Sequence, residues 1–187
     1  MGTPPHPAPP RAVVAWRGWA LTPSGLLTSS TQKGEARGHW VPDLPHQATC
    51  LAGERDPGRT PCARPPGEDC DCGIHAFALE ALDWATRSDP VPAAALVDDL
   101  AGAILRTMSV VGLCALWGEV IEHEWGFRAE LAYPLALAVI PDSVLFQMEG
   151  LDDPAGLAAR VAAAYHVPAA EVPAGAAPGW LRAEAGA

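Results

Sequence analysis

The stretch from Val110 to Tyr133 limits the folds open to this chain more than any other. Val110 to Leu116 is a continuous apolar run, the strongest strand signal in the chain. Trp117-Gly118 interrupts it and Val120-Ile121 resumes it, so the glycine marks a bulge or a close backbone approach. Trp125-Gly126 offers a tight turn, and Phe127 to Tyr133 returns in alternation. A turn of two residues pairs Glu124 with Phe127, His123 with Arg128, Glu122 with Ala129, Ile121 with Glu130 and Val120 with Leu131. One face of this hairpin is then mostly core, and His123, Arg128 and Glu130 gather on the other.

The remaining elements build around that hairpin. Val13 to Leu21 reads as a strand bounded by Pro10 and the turn Thr22-Pro23-Ser24-Gly25, with "GLLTSST" as its returning partner and "GHWVP" as a further extended piece. Gly73 to Phe77 is a short buried strand. Helices are expected from Ala78 to Arg87, from Pro92 through Leu105, and from Asp153, an N-cap before a first-turn proline, to about Tyr165. The chain is thus expected to be α+β, with a bent or barrel-like sheet, mixed or antiparallel, and two to three flanking helices. Residues 1–11 form a Pro-rich flexible tail, 12–168 a single domain, and 169–187 a loosely ordered end.

Composition narrows the partners. The net charge is −10 and only twelve residues are Lys or Arg, so binding to a phosphate backbone is disfavoured. The partner is expected to be a small molecule or a protein. No apolar stretch reaches the length of a membrane span, since Leu131 to Ile140 is short and broken by Pro134. The N-terminus lacks the basic and apolar segments of a signal peptide, so the cytoplasm is the expected compartment. There, five cysteines are not expected to form a disulfide framework.

Four of those cysteines fall in a segment with no periodicity of either kind, from Asp43 to Asp71 and just beyond. A loop this long inside a compact domain is functional, metal-stapled or mobile. Cys70 and Cys72 are one residue apart, a spacing that neither closes a disulfide readily nor matches a thioredoxin-like redox pair. With Cys50 and Cys62 upstream they supply four soft ligands for a tetrahedral, structural zinc, or three with His46 or His75 as the fourth. Such an ion would organise a loop that has little core of its own. The spacing matches no standard finger or ribbon, so separate thiols are the alternative. Cys114, inside the apolar run, is a core residue.

"EHEWGFRAE" is the second constellation. Read as chemistry, His123 and Glu122 form an acid–base pair and Arg128 an anion binder; read as structure, they are opposed charges on an exposed face. Trp16 and Trp117, with Glu130 and Tyr133, are the residues expected to flank a ligand pocket, half-buried sheet aromatics being the plainer reading. There is no P-loop, no G-x-G-x-x-G after a strand and no G-x-S-x-G elbow.

Taken together, "CDCGIHAF", "VVGLCALWGEVIEHEWGFRAELAYP" and "AAAYHVP" resemble the motifs of an uncharacterised actinobacterial family, over roughly residues 12–168. This chain differs at His75, where an aromatic is usual, at Cys114 for a valine and at His166 for a glycine. A more remote similarity, of the "G-I-x-A" and "G-x-V-x-L-x-G" strands, is to PUA-like β-barrels such as ASCH and EVE domains. The resemblance implies a fold and no activity. Two function classes follow: a non-catalytic binding or accessory module with a structural zinc and an aromatic-flanked pocket, or a small enzyme using His123, Glu122 and Arg128.

Overall fold

In the computed structural model residues 9, 11–29, 38–84 and 102–186 are described. The architecture is α+β, with seven strands in one mostly antiparallel sheet that bends into a partial ring. The long hairpin is its axis: β5 (Val110–His123) and β6 (Gly126–Val139), with β1 (Val13–Leu21) on the far side of β5. β4 (Ile74–Phe77) pairs with β6 and, through Trp16↔Phe77, with β1. That one bridge joins the two ends of the path β1–β5–β6–β4. β2 (Leu27–Thr28) extends β1 as the expected hairpin, and "GHWVP" contributes a single bridge, Thr28↔His39. β3 (His46–Gln47) lies beside β6 at Leu131 and Ala132.

Two apolar layers explain why the central strands carry no polar face. One, called here the inner layer, joins Ala15, Trp19, Leu21, Cys114, Leu116, Tyr133 and Tyr165; the other, the outer layer, joins Trp16, Leu82, Val111, Leu113, Ala138 and Leu181. A run buried on both sides has no reason to alternate, and Val110 to Leu116 does not. Pro134 is tolerated within β6 because a register shift between the pairs Leu113↔Ala136 and Cys114↔Pro134 leaves an extra residue there.

The hairpin register differs from expectation by two residues. His123 faces Gly126, Glu122 faces Phe127, Ile121 faces Arg128 and Val120 faces Ala129, so Glu124-Trp125 is the turn. Gly126 is needed in the ladder instead, because a Cβ there would meet the backbone of Ala76 and Phe77 where β4 crosses. A slip of two leaves every side chain on the face expected of it. The bulge falls where Gly118 suggested: Gly118 and Glu119 together oppose Glu130, and Gly118 has φ of +77°.

The described residues also form helical pieces, several of which pack on the sheet. Short helices α1 (Ala52–Arg55), α2 (Ala81–Trp84) and α3 (Val144–Met148) accompany α4 (Pro154–Tyr165) and α5 (Ala177–Ala185). A further turn covers 102–107; the rest of the helix expected from Pro92, and that expected beyond Trp84, lie outside the described residues. Asp153 caps α4 by accepting from the Gly156 N–H at 3.0 Å, and the helix ends at Tyr165 as expected. No helix among the described residues is long and apolar enough to cross a membrane.

The end expected to be loose from residue 169 is instead part of the fold. β7 (Ala169–Glu171) pairs in parallel with β6, reached through α4 as a crossover. α5 buries Ala177, Pro178 and Leu181. Small side chains concealed this in the sequence: Ala and Pro add little apolar area, but they let a helix and a strand approach closely.

Candidate metal centre

Both ends of the irregular loop are clamped on the same strand. β3 hangs on Leu131 and Ala132, the Ala48 N–H donates to the Glu130 carbonyl at 2.8 Å, and β4 leaves the loop along Gly126 to Ala129. Between these clamps, residues 48–73 must fold with almost no core, since only Ala48, Cys72 and Pro66 among them are buried. The four cysteines meet there. Cys50 Sγ lies 3.7 Å from Cys70 Sγ and Cys62 Sγ lies 3.7 Å from Cys72 Sγ, and all four sulfurs are within 4.8 Å of one another. Tetrahedral zinc with Zn–S bonds near 2.3 Å requires sulfurs about 3.8 Å apart. The arrangement therefore fits one ion with no rearrangement of the backbone.

The local electrostatics divide the thiols. The Gly67 N–H donates to Cys72 Sγ at 3.3 Å, but burial outweighs it and raises that thiol. Burial opposes ionisation of Cys50, but the backbone N–H groups of Cys62 and Ala52 and the neighbouring thiols outweigh it and bring that thiol down to about 7. Cys62 is pushed up to about 12, chiefly by the Cys72 and Cys70 sulfurs beside it. Four crowded thiols hold protons unequally because their thiolates repel; a dication removes that conflict. Gly73, at φ +123°, then turns the chain from Cys72 into β4.

The charged hairpin face and the cysteine loop, read separately from the sequence, are one structure. Arg128, expected to bind an anion, points its guanidinium into the loop and donates to the carbonyl of Cys70 and, at 3.4 Å each, to those of Gly67 and Cys72. Glu130, expected at a ligand pocket, accepts Arg64 Nε at 3.0 Å and Nη2 at 2.8 Å, and also accepts the Glu119 N–H at 3.1 Å. Arg64 holds the Glu130 carboxyl below its ordinary value, with the Glu119 N–H second. Arg64, between Cys62 and Cys70, was missed: an exposed arginine in an aperiodic loop carries no signal of its partner.

The other expected site residues disperse. Glu122 and His123 are neighbours on a strand and project to opposite faces; Glu122 is exposed, and no bond between them is formed. His123 Nδ1 accepts the Trp125 N–H at 3.4 Å while its Nε2 is buried without a partner, and burial, His75 and Arg128 lower its basicity. Trp16 belongs to the outer layer, stacked on Phe77 at 4.8 Å and donating to the Ala78 carbonyl at 3.0 Å. Trp117 packs on the inner layer, so the two tryptophans share no pocket. Tyr133 is a strut: its hydroxyl donates to the Tyr165 carbonyl and accepts the Asp43 N–H. The expected pocket of Trp16, Trp117, Glu130 and Tyr133 is therefore not assembled, because neighbouring strand positions face different layers.

Neither candidate histidine joins the sulfurs. His46 stacks on Trp40 with ring centroids 4.6 Å apart. His75 lies beside the centre, its Nε2 2.9 Å from the Asp71 carbonyl oxygen and its ring 6.4 Å from that of His123. A cleft of about 470 Å³ opens there, with Cys70 and Cys72 on its wall beside Thr49, Asp56, Arg59 and His75. Comparison of the chain with family models, with curated proteins and with solved structures returns no match.

Proposed function

We propose that this chain is a non-catalytic binding or accessory module whose long loop is folded by a structural zinc ion held by Cys50, Cys62, Cys70 and Cys72. The observation that carries the reading is the convergence of four sulfurs in a segment that has no apolar core to fold around. When bound, zinc supplies a fourfold cross-link. Arg128 and Arg64 then anchor the cross-linked loop to the hairpin face, and the loop presents the adjacent cleft to a small molecule or a protein. A reducing cytoplasm would keep the four thiols available to metal. The resemblance to the actinobacterial family and to PUA-like barrels is retained within this proposal at the level of architecture.

The catalytic alternative asks Arg128 to hold an anion and Glu122 to assist His123. Arg128 is occupied by three carbonyls of the loop, and Glu122 lies on the other face. Both contacts favour the binding module.

The decisive measurement is metal content of protein purified without a histidine tag. One zinc per chain, lost together with the exposure of four thiols to a chromogenic reagent, is the expected result. A metal-free protein with the same protection of its loop amides would overturn the proposal. Iron at the same stoichiometry would replace zinc in it, since tetrahedral thiolate sites suit both.

A further inference from the structure

We infer that the inner layer carries a second site, for a small oxyanion, centred on the Arg17 guanidinium and walled by Trp19, Trp40 and His46. It shares no residue with the metal centre and does not depend on it.

On β1, Ala15, Arg17, Trp19 and Leu21 point to the inner layer, so a cation stands in a row of core residues. Arg17 is only 9% exposed. Its guanidinium carbon lies 5.2 Å from the Trp19 ring centroid and 4.9 Å from that of Trp40. The two indoles meet edge to face at 5.2 Å, and Trp40 lies parallel on His46. Burying a cation is unfavourable unless it is paired. The chain has 22 Asp and Glu residues, yet among the described residues no carboxylate pairs with Arg17. The buried acid Glu130 is taken by Arg64.

The neighbours cannot act as the counterion. Burial pushes the Cys114 thiol up to about 12, so it stays neutral, and burial with Arg17 pushes His46 down to about 4, so it is neutral also. Arg17 itself falls to about 10 through burial and remains charged at neutral pH.

Two donors of this site lack acceptors. Three buried side-chain polar atoms among the described residues have no partner, and two of them are Arg17 Nε and Trp19 Nε1, two positions apart on one strand face. Indole faces above a guanidinium stabilise its charge by cation–π attraction, but they offer no acceptor in its plane. That plane is the fork that recognises carboxylate or phosphate through parallel N–H bonds. The aromatic faces are engaged by the guanidinium and by His46, so the fitting ligand is a small oxyanion.

The test uses the full chain with benzoate and inorganic phosphate as probes, read by thermal melting and tryptophan fluorescence, in the wild type, Arg17→Met and Arg17→Lys. The wild type is expected to show a saturable rise in Tm and a fluorescence change with at least one probe. Response to benzoate alone assigns a carboxylate ligand and response to phosphate alone a phosphoryl one. Arg17→Lys, which keeps the charge and removes the fork, should weaken the response at least tenfold. Arg17→Met should abolish it and, without probe, melt no lower than the wild type, because a buried cation with no carboxylate partner among the described residues has been replaced by an apolar chain. A wild type silent to both probes overturns the inference, as does a response that survives in Arg17→Met. If Arg17→Met does not fold, the wild-type titration and Arg17→Lys decide by the same criteria. Zinc content is expected to be equal in all three proteins, so failure here is distinguishable from failure of the metal reading.

Discussion

The strand from Val110 to Leu116 and the loop over residues 48–73 are held in place by different forces. In the strand Val110, Val111, Leu113, Cys114, Ala115 and Leu116 are each at most 1% exposed, and packing on two faces determines the conformation. In the loop the large side chains face solvent, and what converges is chemistry: four sulfurs, three carbonyls on Arg128, and a carboxylate on Arg64. Packing is spread over many weak contacts and fails gradually. A coordination centre concentrates the same task in one ion and fails at once. The hairpin face between them carries the loop without belonging to its core.

The largest expected effect separates the two regions outright. Chelation, or Cys72→Ser, removes binding energy that in zinc-folded peptides is about 10–16 kcal/mol at neutral pH. Hydrogen exchange should then show residues 48–73 losing protection while Val110 to Leu116 keep theirs. Simultaneous loss in both would mean that the ring cannot stand without the metal. The converse experiment is Trp16→Ala, which empties the outer layer beneath Phe77 and should cost about 3–5 kcal/mol in urea unfolding. Below its lowered Tm this variant should retain zinc at wild-type stoichiometry.

Smaller effects probe the joint between the regions. At Gly118 a Cβ would lie 2.5 Å from the Glu130 carboxylate and the backbone is left-handed. Gly118→Ala should therefore cost about 1–3 kcal/mol and loosen Arg64 from Glu130, visible as faster exchange of the Glu119 amide. The mildest test is acid. Because Arg64 lowers the folded-state value of Glu130 below the ordinary 4.5, the pair contributes stability that is complete above that value and lost as the pH falls through the lower one. As the pH falls below 4.5 the wild type should progressively lose this increment, and Glu130→Gln, which has no proton to gain, should show a shallower decline in Tm on acidification.

Much of the ring was legible because strands announce themselves locally. The limits of β1, the bulge at Gly118 and the cap at Asp153 follow from the bounding Pro10 and Thr22–Gly25 turn, from a glycine in an apolar run and from an Asp-Pro pair. Face assignments survived a hairpin slip of two residues because the side-chain period of a strand is two. The four clustered cysteines were legible for a different reason: soft side chains in a segment with nothing else to fold it leave few alternatives.

What the sequence determined by itself is thus β1, β4 and the β5–β6 hairpin, the helix at Asp153 and the four cysteines that cluster. Only the tertiary structure decided their use. It turned Arg128 from an anion binder into a strut, paired Glu130 with Arg64 across 66 positions, drew the Ala-rich end into the sheet and left Arg17 enclosed between two indoles. The reason is range. Periodicity and capping act over a few residues and are written in neighbouring letters. The partner of a charged side chain is chosen by strand order and loop path, and no local pattern records either.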